Sequence, residues 1–177
     1  MPNAASYQKR LRQKLEGYFN KVDYERSVVK DAEDALKRDP MRYAPRLDLV
    51  IGPYNLKCAD EWKTNFQIKQ ELSKFKNKKT IKFFDAVSEL QVNQNPRYAV
   101  AIEVVFSGTA KHVLGDITNA STLGLYGFII ANDKMLPEAL RILEHVQTLK
   151  GLRKIAPEMF NNVKVVSTQE FDNYFED

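Results

Sequence analysis

YAVAIEVVFSGTAKHVLGDITNASTLGLYGFIIA, residues Tyr98 to Ala131, decides the fold. It opens on a strand-forming apolar run, Tyr98 to Phe106, broken by one carboxylate, Glu103. Ser107-Gly108-Thr109 turns the chain, Thr109 suits a helix N-cap, and the helix that follows is expected to reach Leu123 before Gly124 stops it. Leu125 to Ala131 is apolar on both alternating faces, as in a strand covered on both sides. The unit reads strand, helix, strand, and predicts an α/β domain with a mixed central sheet flanked by helices.

The whole chain fits one domain: 177 residues can bury a full core, and 44% hydrophobic residues exclude a disordered chain. A single cysteine, Cys58, excludes an intramolecular disulfide and a cysteine-only zinc site. Met1 to Phe19 lacks the apolar core of a signal peptide, and no apolar stretch approaches the roughly 18 residues that span a bilayer, so a soluble cytoplasmic protein is expected. A net charge of +4 and a pI near 9.0 permit a polyanionic partner.

Outward toward the N-terminus, Ser6 to Tyr18 carries Tyr7, Leu11, Leu15 and Tyr18 on one helical stripe. A second helix is expected from Asp23, as N-cap, to Arg38, before Pro40. Glu25 falls among its apolar positions, either as a first-turn acid favoured by the helix dipole or as a carboxylate facing the same interior as Glu103. In RYAPRLDLVIGPY, Arg42 to Tyr54, Leu47, Leu49 and Ile51 alternate with Asp48 and Val50, which predicts a strand ended by Gly52-Pro53. Asp48 and Glu103 would thus stand on two buried strands. Two such hard oxygen donors can hold Mg²⁺ or Mn²⁺ and leave positions for water and a phosphate oxygen.

Between those strands lies a basic helical insertion, 57–95. Over Lys57 to Lys82, eight lysines face three acids, with Trp62, Phe66 and Phe75 interleaved. Helices are expected from Glu61 to Phe75 and from Thr80 to Leu90. The segment is either a solvated hairpin whose aromatics pack on the core or a basic ridge on a phosphate backbone, with Lys63, Lys69, Lys74, Lys76, Lys78 and Lys79 as contacts and Arg46 beside Asp48 as another. In the helix after Thr109, Ala110, Val113, Leu114, Ile117 and Ala120 form the buried stripe; Lys111, His112, Gly115, Asp116, Asn119 and Thr122 form the opposite arc. Cations in the first turn oppose the macrodipole, so Lys111 and His112 suit an anion better than they suit the helix. Downstream, a helix from Pro137 to Lys150, a strand from Val163 to Val166 and a brief aromatic C-terminal helix or tail from Gln169 to Phe175 read as structural.

An acid-bearing helix, a strand with Asp48, then a strand with Glu103 followed by a helix and another strand resembles the core of the PD-(D/E)XK, or restriction-endonuclease-like, nuclease superfamily. The similarity covers Asp23 to Ala131 apart from the basic insertion. It rests mainly on Asp48 and the run IEVVFSGTAKH. It implies that Asp48 and Glu103 hold Mg²⁺ or Mn²⁺, that Val104 contributes a backbone carbonyl, and that Glu25 is the helix acid of many members. The lysine that the family carries two residues after the second acid is Val105 here. Lys111 is the candidate to supply that ammonium from a migrated position, with His112 or Asn119 on phosphate. The expected function is a metal-dependent nuclease acting on nucleic acid, DNA foremost, as a possible homodimer and without a membrane role. The alternative is a nuclease-like domain that binds nucleic acid or a protein partner without cutting.

Overall fold

A computed structural model describes residues 3–27, 45–55 and 63–175. In chain order it contains α1 (Ala4–Glu16), β1 (Val22–Ser27), β2 (Arg46–Tyr54), α2 (Asn65–Ser73), α3 (Ile81–Ser88), β3 (Tyr98–Val105), α4 (Ala110–Leu123), β4 (Gly124–Ala131), α5 (Leu136–Gly151), β5 (Val163–Ser167) and α6 (Thr168–Asn173). The five strands form one mixed sheet in the order β1-β2-β3-β4-β5. β2 runs antiparallel to both of its neighbours, β1 and β3, while β3, β4 and β5 run parallel.

Strand periodicity divides the core in two. Val100, Ile102 and Val104 of β3, with Phe128 and Ile130 of β4, face a layer built by Tyr7, Leu11 and Leu15 of α1, Ile68 and Leu72 of α2, Phe83 and Phe84 of α3, and Phe171 of α6. Ala101 and Val105, with Ile129 and Ala131, face Val113, Ile117 and Ala120 of α4 and Ala139, Ile142 and Val146 of α5. Both faces of β3 and β4 are therefore buried, which is why these strands read as continuous apolar runs. At about 1.5–3 kcal/mol per buried large aliphatic or aromatic side chain, this double burial is the main force holding the layers together. Gly124 starts β4 because a Cβ there would lie 2.9 Å from Ala101 Cβ. Gly108, at φ +139°, makes the turn into α4.

Three expectations are corrected. Asp23 and Glu25 lie on strand β1, not on a helix: Val22 to Ser27 pair with Ile51 to Arg46, and ladder pairing with β2 overrides the local helical spacing. Asp23 accepts a hydrogen bond from the Tyr54 hydroxyl at 2.9 Å rather than capping a helix. The remainder of that expected helix, 28–38, lies outside the described residues, as do Lys57, Cys58 and Trp62. Gly52-Pro53 does not end β2, which passes through this cis bond and an irregularity in register to pair Tyr54 with Tyr98. Leu114, placed on the buried stripe of α4, is 42% exposed, because the helix presents only the narrower Val113-Ile117-Ala120 stripe to the sheet. Among the described residues, no helix is long and apolar enough to cross a membrane.

Candidate active site

Asp48 and Glu103 meet at the edge of the sheet where β2 begins and β3 ends. Toward this edge the last backbone pairing between the two strands is Leu49 with Ile102. Beyond it, carboxylates take the place of carbonyls. The Asp48 backbone N–H donates to Glu103 Oε2 at 3.2 Å, and the Val104 N–H donates to Asp48 Oδ2 at 2.8 Å. Each acid thus satisfies a backbone donor of the other strand's ladder. Leu47 and Val50 share a core, although they stand three residues apart, so the inward-outward alternation of β2 breaks at Asp48.

An amide from each helical layer reaches this pair. Asn119 of α4 donates from Nδ2 to Glu103 Oε1 at 3.4 Å, a long contact. Gln8 of α1, 8% exposed, stands beside the Asp48 carboxyl and favours its ionised form, while its Oε1 accepts from the Tyr24 hydroxyl at 3.4 Å. Asp116, one turn before Asn119, adds a third acid.

Burial pushes all three carboxyls up. Glu103, 4% exposed, is held well above the usual range by desolvation and then by the charges of Asp48 and Asp116; the Asp48 N–H and Asn119 pull it down only in part. Asp48 is raised by burial against the lowering effects of the Val104 N–H, Gln8 and Arg46. Asp116 is raised to about 6 by burial and by Asp48, with His112 opposing. The His112 ring closes the first turn of α4: its Nδ1 accepts from the Thr109 N–H at 3.3 Å, which leaves Nε2 as the protonated nitrogen of the neutral ring. His112, Asp116 and Asn119 recur at helical spacing and lead along one stripe toward Glu103.

Other candidates fall elsewhere. Glu25, at φ +50°, is exposed and ion-paired with Arg46, so both point to solvent at the β1 edge. Val104 supplies its N–H to Asp48. Val105, at the position of the family lysine, is 2% exposed and packs with Val113 and Ile117. Lys111 stands in the first turn of α4 and is exposed. It belongs to the open outer face of α4 with His112, Gly115 and Asp116. Lys69, Lys74, Lys76, Lys78 and Lys79 are exposed, and Lys63 pairs with Glu71 at 2.9 Å. Their segment packs on the α1 face. Lys63 and Lys74 flank Pro53, five residues or roughly 17 Å of strand from Asp48.

Sequence reasoning did not single out Gln8 or Asp116. The spacing Gln8-Leu11-Leu15 places Gln8 on the buried stripe of α1, and that spacing was the available signal.

The oxygen donors suit a divalent cation that keeps most of its water. Two carboxylates and no nitrogen or sulfur favour Mg²⁺ or Mn²⁺, and among the described residues no three acidic, histidine or cysteine groups surround a common point to cage an ion. In comparisons with known proteins, the chain matches no family model, no curated protein and no solved structure.

Proposed function

We propose that this protein is a metal-dependent nuclease of the PD-(D/E)XK kind, hydrolysing phosphodiester bonds in nucleic acid, DNA foremost. One observation carries the reading: Asp48 and Glu103, 55 residues apart, interlock at the fork of two antiparallel strands, each fastened by the other strand's backbone. The order of elements around them, two antiparallel strands, a helix and a parallel strand, supports the resemblance noted in the sequence. Burying acids with raised pKa values costs stability, and such clusters concentrate at functional sites. Asp48, Glu103 and the Val104 carbonyl would hold Mg²⁺ or Mn²⁺, with water and a phosphate oxygen completing the coordination shell.

When bound, such an ion neutralises charge at the scissile phosphate and acidifies its water. The chain's own groups position and balance. Asn119 and Gln8 fix the two carboxylates from opposite layers. His112 Nε2–H and the Lys111 ammonium, on the outer face of α4, meet flanking phosphates of the bound strand rather than the acid pair itself. Water adds to phosphorus as the P–O bond to the leaving sugar oxygen breaks, and that oxygen takes up a proton.

A second reading, binding without cutting, is favoured by two observations. Val105 puts an inert, buried side chain where the family has its lysine, and Phe66 stands 70% exposed between Lys63 and Lys69 as a stacking platform on the basic segment. Incubation with plasmid and with single-stranded DNA, with and without Mn²⁺, separates the two. Under the nuclease reading, cleavage by the wild type requires Mn²⁺ and falls at least about 100-fold in Glu103→Gln and Asp48→Asn. Undiminished cutting by those variants removes this site, whereas salt-sensitive binding with no cleavage establishes the second reading.

A further inference from the structure

A cavity of about 240 Å³ opens on the same sheet edge, between α1 and the chain leaving β3, β4 and β5. It is too small for a drug-sized ligand, whose pockets run from about 300 Å³ upward, and suits a single ring system. Tyr7 and Phe106 wall it, with ring centroids 5.4 Å apart and planes tilted by 42°, and the Arg10 guanidinium lies 5.0 Å over the Tyr7 ring. Phe106 is half-buried, so part of its surface remains open. The Tyr7 hydroxyl, buried with its ring, donates to the Thr168 carbonyl at 3.5 Å and has Arg10 as a second polar neighbour.

Arg10 is paired with Asp172 at 2.9 Å, an acid that Lys14 also approaches at 3.6 Å, and Lys134 and Asp133 stand together at the mouth. With Arg10 engaged by Asp172, the aromatic wall is the dominant recognition element. The cavity and the acid pair are linked through α1 and β3. Tyr7 precedes Gln8, which stands beside Asp48, and Phe106 follows Glu103 by three residues, about 10 Å of strand.

We infer that this cavity receives one nucleobase of a single strand whose phosphate lies at Asp48 and Glu103, with the base seated against the open part of Phe106, which Tyr7 backs, and its polar edge toward Arg10. The inference rests on the nuclease reading for its substrate, but its test does not need cleavage. Binding of a short single-stranded oligonucleotide is measured by fluorescence anisotropy in Ca²⁺, with the strand checked to be intact afterwards and one abasic residue walked along it. At one position, loss of the base weakens binding roughly 5- to 100-fold, the worth of one base-aromatic stack. Phe106→Ala weakens the intact strand by a similar factor and is indifferent to the abasic residue at that position. A flat abasic series, wild-type affinity in a folded Phe106→Ala, or no single-strand binding overturns the assignment. Should Phe106→Ala not fold, the wild-type abasic series decides alone. Mn²⁺-dependent cleavage with a flat series leaves the nuclease and removes the base pocket; a position-dependent series without cleavage does the reverse.

Discussion

The two ends of the sheet bury polar groups in opposite ways. At the amino-terminal end of β4 and β5, the buried groups are neutral amides with short, plentiful bonds. Asn162, 3% exposed, donates to the Ser121 and Gly124 carbonyls at 2.9 and 3.0 Å and accepts from the Ser121 hydroxyl at 2.9 Å. Asn93 donates to the Ser121 and Thr122 carbonyls at 3.0 and 2.9 Å. Together they close the C-terminus of α4, whose last carbonyls have no partner within the helix. At the other end, three acids share few donors and are pushed toward their protonated forms. Satisfied amides stabilise the fold. Under-compensated acids destabilise it, and their retention asks for a role outside folding.

Breaking the amide end has the largest expected effect on stability. Asn162→Ala removes one of two donors to the Ser121 and Gly124 carbonyls, leaves the buried Ser121 hydroxyl without its acceptor, and costs about 2–3 kcal/mol in urea unfolding, with a loss that does not vary between pH 5 and 8.

Relieving the acid end gives the opposite sign. The folded chain holds the Asp116 proton up to about pH 6, whereas an unperturbed carboxyl releases it near 3.8, so the folded state binds more protons between those values. Stability present below that window is lost as pH rises through 6. Asp116→Asn should therefore be more stable than the wild type at pH 7 in EDTA by about 1–2 kcal/mol, the linkage being discounted because the side chain is partly exposed. The advantage should vanish below about pH 4. An equal advantage at both pH values contradicts the assignment.

The smallest effect separates positioning from folding. Asn119→Ala, which loses only a long bond to Glu103, shifts the unfolding midpoint little but weakens Mn²⁺ binding by about tenfold, as loss of a supporting partner does at metal sites. A large stability loss with unchanged Mn²⁺ affinity would make Asn119 purely structural.

Much of the fold was legible where local and tertiary preferences agree. The run from Tyr98 to Ala131 forms its strand, helix and strand within a residue of expectation, because both-face burial leaves a continuous apolar record and Thr109, Gly108 and Gly124 punctuate it. β1 was misread because Asp23 before spaced valines imitates a capped helix, while the partner that makes it a strand, β2, lies some twenty residues away. Asp48 and Glu103 stood out as acids within apolar strands. Their interlocking through each other's backbone was not legible, since it depends on where two strands part. Gln8 was hidden among polar helix residues, and Asp116 read as a solvated face.

The most direct test of the central claim is calorimetric titration of Mn²⁺ into the wild type, Asp48→Asn and Glu103→Gln near neutral pH. The account predicts a saturable site in the wild type, accompanied by proton release, that is lost in both variants while each remains folded. Equal Mn²⁺ binding by all three proteins would contradict it.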